Sequence, residues 1–168
     1  AAWLDFVQAH RDDPVALDGE LANLSKAAQQ ALLEPLAWEQ GLALIGATWH
    51  HVELRGYWQG WQSLLAQGVQ VSRQAGRSDH QARLLDQLGE AARLLGDNRG
   101  ALARFEAALA LHRALDDPAG VGRTLSHLGQ AQRALNDWSG ASRSCQEAAA
   151  IFAALSYDDD RALVHNNW

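Results

Sequence analysis

Slid along itself by 40 positions, the chain superposes residues 82–121 on 122–161 without a gap, and fourteen positions are then identical. They include Arg83/Arg123, Leu85/Leu125, Leu88/Leu128, Gly89/Gly129, Arg93/Arg133, Asp97/Asp137 and Gly100/Gly140. Alanine and leucine matches are cheap in a chain that is 48% hydrophobic; paired Gly, Arg and Asp in one register are not. An internal repeat of this length constrains the fold more than any other feature. A unit that small cannot bury its own apolar face and must stack on its neighbours. A step backwards covers 42–81, where Ile45, Gly56 and Gly60 fall under Leu85, Gly96 and Gly100. A step forwards opens a fourth copy at 162–168, so the chain stops inside a repeat. With its start at Ala1-Ala2-Trp3 instead of Met, it is expected to be a segment of something longer or a processed chain.

Each copy reads as two helices. Leu85, Leu88, Ala92 and Leu95 recur at spacings of three and four, which is one helical face. Gly96 interrupts it, with Gly56 and Asn136 at the equivalent places, and both residue types accept the left-handed conformation that ends a helix. The second helix carries Ala101, Leu102, Phe105, Ala108, Leu109 and Leu115, and Asp116-Asp117-Pro118 marks the start of the next. No segment alternates like a strand, so the chain reads as all-α. Residues 1–41 lie outside the period and read as an N-terminal helical cap. Its expected helices cover Trp3–His10 and about 16–33, and Pro35 is expected to open the helix that runs through Trp38, Leu42, Ile45 and Trp49.

Composition excludes several function classes. The net charge is −6, from 14 basic against 20 acidic residues, which opposes broad binding to nucleic acid or an anionic membrane surface. A single cysteine, Cys145, cannot build a disulfide framework or a cysteine-rich zinc site. No apolar run reaches the ~20 residues of a membrane span, and no basic-then-apolar leader is visible, so a cytoplasmic location is expected. Lys26 is the only lysine among the basic residues, a bias expected of a GC-rich bacterial genome.

Leu85-x-x-Leu88-Gly89-x-x-Ala92, then Gly96-Asp97, then Ala101-x-x-x-Phe105-x-x-Ala108 resembles the tetratricopeptide repeat. Small residues at Gly89, Ala101 and Ala108 let helices approach, while Leu88 and Phe105 fill the gap. The third copy keeps this pattern with Cys145 under Phe105; the first departs further, with Thr48-Trp49 in place of Leu-Gly and Trp61 in place of Ala101. A 40-residue repeat resembles the longer-helix variety of kinesin light chains and bacterial regulators. Glu20-Leu-Ala-Asn23-Leu24-x-x-Ala27, followed by Trp38, Trp49 and Arg55-Gly56-Tyr57-Trp58, resembles a segment of bacterial STAND signalling proteins, where it joins an NTPase core to a C-terminal repeat sensor. The resemblance implies a right-handed α-solenoid of helix-turn-helix repeats at 42–81, 82–121 and 122–161, truncated at 162–168.

The residues that carry chemistry elsewhere read here as packing. Gly41 to Thr48 imitates a phosphate-binding loop, but Ala47 stands where the lysine would be and the segment lies in an expected helix. His50 and His51 point about 100° apart on a helix and cannot share a metal ion as i, i+4 ligands do. Cys145 takes a core position, where a thiol is inert. Asp158-Asp159-Asp160 lacks the Gly and distal Glu of a calcium loop and reads as an acidic helix start. Trp49 and Trp58 are expected in the core, and Trp3, Trp61 and Trp138 at helix ends or a junction. No catalytic residue, metal site or cofactor is expected, and the chain does not read as an enzyme.

What rises above this background is a polar row. In tetratricopeptide domains the first helix of each pair lines a concave peptide-binding surface. The resemblance carries that role to His50, Glu53 and Leu54, then to Arg83, Asp86, Glu90, Arg93 and Leu94. It extends to Arg123, Ser126, Gln130, Arg133 and Ala134, and to Asn166 and Asn167. Four arginines recurring at two places suit carboxylates through their planar fork, so an acidic protein segment is the expected partner, including the parent's own NTPase region. On the competing reading these arginines only neutralise Asp86 and Glu90 on a solvated face. The expected function is a protein-interaction or sensor module of a STAND-like regulator. Its rival is a self-association scaffold, dimerising through an apolar face around Leu163 and Trp168.

Overall fold

The computed structural model describes residues 2–155, all of whose regular structure is helical. The helices are α1 (Ala2–Ala9), α2 (Pro14–Leu33), α3 (Trp38–Arg55), α4 (Trp58–Gln74), α5 (Ser78–Leu94), α6 (Asn98–Ala114), α7 (Pro118–Ala134) and α8 (Trp138–Leu155). From α3 on, helices begin every 20 residues, so the 40-residue repeat is two helix-plus-turn half-units. Positive φ marks the same cadence: Gly56 (79°), Gly76 (69°), Gly96 (88°), Asp116 (50°) and Asn136 (64°) each follow a helix end. These are the residue types that tolerate the left-handed region. The expected breaks at Gly56, Gly96 and Asn136 are therefore where helices stop, and the helix pairs run 78–114 and 118–155.

Local chemistry sets the starts. Asp97, Asp117 and Asp137 each accept a hydrogen bond at 2.9 Å from the backbone N–H three residues on, at Gly100, Gly120 and Gly140. A Cβ at any of these glycines would run into the capping carboxylate, which explains the recurring Asp-x-x-Gly. Asp13 caps α2 in the same way, with Pro14 at its first position, as Pro118 is in α7. Pro35 departs from expectation. It lies in the turn between α2 and α3, because Glu34 before it is extended (φ −93°, ψ 125°), as a residue preceding proline prefers.

The chain divides into two compact units after Gly76. In the first, α2 and α3 form the closest pair and α4 packs on both. Gly41 permits that approach: a Cβ there would lie 3.0 Å from Ala28 O and Leu32 N. The phosphate-loop imitation is thus helix interior. Trp61, expected at a junction, is buried in this unit's core beside Leu64 and Leu65, while Trp49 and Trp58 are half-buried. Trp58 donates its indole N–H to Glu53 O at 3.0 Å. Trp3 lies edge-on to Phe6, and Trp138 is exposed.

In the second unit, α5/α6, α6/α7 and α7/α8 pack in succession and α5 also meets α7, the neighbour pattern of a helical-repeat solenoid. Phe105, Leu109, Val121, Leu125, Leu128 and Phe152 form its centre. Gly89 lies against the Phe105 ring, 2.6 Å from where its Cβ would be, and Gly129 stands likewise 2.8 Å from Cys145 Sγ. Leu-Gly thus does in the structure what the repeat pattern requires: it admits a bulky neighbour from the second helix. Burial pushes the Cys145 thiol up, so it stays protonated. Asp158 to Asp160, Leu163 and Trp168 lie outside the described residues.

Candidate functional site

The polar row divides when its helices are in place. On α5, Arg83 is exposed near the start, but Asp86 turns inward. Its carboxylate accepts the Thr124 hydroxyl of α7 at 2.8 Å and lies 3.0 Å from Nε2 of His112 on α6. The other ring nitrogen of His112 lies 2.9 Å from Asp117 Oδ2. His112 is 1% exposed, so the imidazole is bracketed by two carboxylates at the junction of three helices. Burial pushes the Asp117 carboxyl up, but the Gly120 N–H and the charges of His112 and Arg123 outweigh it and hold it below the usual carboxylate range. Gly120 is part of this arrangement, since a Cβ there would strike the His112 ring.

Glu90 is also buried. Arg93 clamps it with two hydrogen bonds, Nε to Oε2 at 2.8 Å and Nη2 to Oε1 at 2.5 Å. Burial pushes its carboxyl up, yet the Arg93 hydrogen bonds and the charges of His127 and Arg93 leave it below the ordinary value. Three residues expected on an open binding face are therefore not there: Asp86, Glu90 and Ser126 are all buried. Ser126 donates back to Gly122 O in its own helix at 3.2 Å. Asp86 and Glu90 face inward because α7 carries Thr124 and His127 towards them, a partnership set by residues about 38 positions away. The competing reading of the arginines is half right: Arg93 does neutralise Glu90, but in a buried clamp, and Asp86 pairs elsewhere.

Of the polar row, three arginines remain accessible on α5 and α7. Arg83 and Arg123 sit at equivalent positions of the two helices, exposed and half-buried respectively, and Arg133 is exposed in the last turn of α7. Gln130 is half-buried between Arg123 and Arg133. Asn166 and Asn167 fall outside the described residues.

The first unit places its share of the row at a cleft of about 710 Å³ bordered by α1, the start of α2 and α3. His50 and Leu54 line it, whereas Glu53 is half-buried to one side. His51, one residue from His50, is buried as the helical angle requires, and its Nε2 lies 2.9 Å from Asp18 Oδ1. Arg55 donates to the same carboxylate, and these hydrogen bonds hold Asp18 below the usual range. Sequence reasoning had no signal for Arg11, Gly46 and Ala47 at this cleft, because what brings them together is the packing of α1 on α3. Among the described residues, no group of His, Cys, Asp and Glu is arranged to hold a metal ion. No described helix is long and apolar enough to cross a membrane.

No protein-family model and no curated protein sequence matches the chain.

Proposed function

We propose that this chain is a protein-binding helical-repeat module, the sensor segment of a larger STAND-like signalling regulator, and that its ligand is an acidic protein segment. The observation that supports this reading best is the recurrence of accessible arginine on the first helix of successive pairs, Arg83 on α5 with Arg123 and Arg133 on α7. Two acids of the same row do not share that surface: Asp86 is buried with His112 and Thr124, and Glu90 with Arg93. A basic surface on a chain of net charge −6 is a local feature, and guanidinium groups at a repeat spacing favour carboxylates spaced to match. Each exposed pair contributes only about 0.2–1 kcal/mol, so several act together. The test is a pull-down comparing wild type with an Arg83→Glu, Arg133→Glu variant shown to be folded. Loss of retained partners supports the reading; equal retention places the surface elsewhere.

A second reading, self-association, is favoured by the exposed Leu95, Leu115 and Leu135 at three successive helix ends, with Trp138 beside Leu135 at 62% exposure. Light scattering across a concentration series separates the two, since a binding module stays monomeric where a scaffold dimerises.

A further inference from the structure

In the second unit, different contacts join the helices of one pair and the helices of successive pairs. Within a pair a glycine lies against a bulky side chain. A Cβ at Gly89 of α5 would lie 2.6 Å from the Phe105 ring of α6, and one at Gly122 of α7 would lie 2.8 Å from the Phe152 ring of α8. Between the pairs runs a chain of polar contacts that starts and ends on α7. Thr124 donates to Asp86 of α5 at 2.8 Å, and Asp86 Oδ2 lies 3.0 Å from His112 Nε2 of α6. His112 Nδ1 lies 2.9 Å from Asp117 Oδ2, and Asp117 Oδ1 accepts the Gly120 N–H at 2.9 Å. Asp86, His112 and Thr124 are all buried. A Cβ at Gly120 would strike the His112 ring, so this seat of α7 requires glycine there.

We propose that this junction sets the angle at which the α7–α8 pair stands on the α5–α6 pair, and with it the step from Arg83 to Arg123. In a helical-repeat array the rotation between neighbouring units shapes the surface they present. The apolar residues of the shared core, Leu109, Val121, Leu125 and Leu128 among them, attract without direction and tolerate a change of tilt. Hydrogen bonds weaken steeply away from their line and do not. Gly120 and Thr124 stand four residues apart, about 6 Å along the α7 axis, so two anchors resist both tilt and rotation. A swing of α7 would leave a buried carboxylate and a buried imidazole without partners, a greater penalty than a loosened apolar contact. The repeat pattern does not require the junction. Forty positions on from Asp86 and His112 stand Ser126 and Phe152. Ser126 bonds back to Gly122 O in its own helix, and Phe152 lies against Gly122. The junction therefore belongs to this one step between pairs.

The experiment reads the angle as a distance. Nitroxide labels are attached at Leu95→Cys and Leu135→Cys, equivalent exposed ends of α5 and α7, in the full chain with the buried Cys145 replaced by Ala. Pulsed electron paramagnetic resonance then gives their distance distribution. With the junction intact the labels show one narrow distance. The Asp86→Ser, His112→Phe, Thr124→Val variant stays helical by circular dichroism, yet without directional bonds its distribution splits or broadens about twofold or more. Thr124→Val keeps the side-chain shape, removes only the hydroxyl and broadens the distribution by less; Thr124→Ser keeps the original width. Asp97→Ala weakens the α6 cap outside the junction and leaves the width unchanged. An unchanged distribution in both the triple variant and Thr124→Val overturns the proposal, and if the triple variant does not fold, Thr124→Val decides it alone. Equal broadening by Asp97→Ala also overturns it, since the width would then follow stability and not the junction.

Discussion

The two units share a helical cadence and differ in what holds their helices together. The second is built on repeated devices: Asp caps on α6, α7 and α8, glycines at Gly89 and Gly129 that admit Phe105 and Cys145, and a buried polar junction around His112. In the first, α3 and α4 start at Ala37 and Tyr57 with no side-chain cap, and its Asp18–His51–Arg55 cluster reaches the surface. Within the second unit, α7 also closes over α5 through Thr124 and Asp86. A period of turns is thus enough to repeat helices, while the capping and the polar junction depend on side chains that the second unit carries.

The largest expected effect breaks the buried junction. Asp86→Ala leaves His112 and Thr124 without their common acceptor and costs about 3–5 kcal/mol in chemical denaturation. The Asp86→Ser, His112→Phe, Thr124→Val triple variant installs the residues that stand 40 positions on, at Ser126, Phe152 and Val164. It recovers most of that loss, because replacing a whole buried polar cluster together is often close to neutral. A triple variant as unstable as the single one would show that the junction needs its polar partners.

Overpacking comes next. Gly89→Leu drives a side chain into the Phe105 ring and costs about 1–3 kcal/mol in the second unit, read from the melting temperature. Ala101→Trp acts likewise, since Ala101 is fully buried. An unchanged melting temperature for either would mean that the repeat register is wrong.

Acid tests the buried carboxylates of the second unit. Glu90 and Asp117 have folded values below their unfolded ones, so their contribution to stability is present above the ordinary carboxylate range and is lost as pH falls through the folded values. Arg93→Met removes the clamp and leaves burial to dominate Glu90. Hydrogen exchange should then show α5 and α7 loosening at higher pH than in wild type. An unshifted acid transition would mean that Arg93 does not hold Glu90 ionised.

The smallest effects compare single glycines and caps. Asp97→Ala removes the α6 cap and costs about 1 kcal/mol. Gly46→Ala lies in the interior of α3 over open space and raises stability by about 0.5–1 kcal/mol. Opposite signs for Gly46→Ala and Gly89→Leu in the same denaturation assay are expected; a loss from Gly46→Ala would show the α3 face to be covered.

Helix breaks were legible because Gly56, Gly96 and Asn136 declare a left-handed residue in the sequence itself. The caps were nearly so, through Asp97, Asp117 and Asp137. The inward turn of Asp86 and Glu90 was not. Spaced at three and four from Arg83, they read as one polar face, and nothing local says that Thr124 and His127 will close over them. His112 gave a faint sign, as a polar residue where the next copy has Phe152. Trp61 was misplaced because the first copy lacks the small residue that marks this position elsewhere. The cleft needed α1 to be seated on α3, which periodicity does not encode.

The central claim is that this chain binds protein ligands through the first helices of its pairs. Amide chemical-shift mapping of the full chain with an acidic helical peptide built from Leu, Ala and Glu tests it most directly. The account predicts shifts that saturate on α5 and α7, strongest around Arg83, Arg123 and Arg133, with α6 and α8 unmoved. Shifts confined to α6 and α8, or none at saturating peptide, would contradict it.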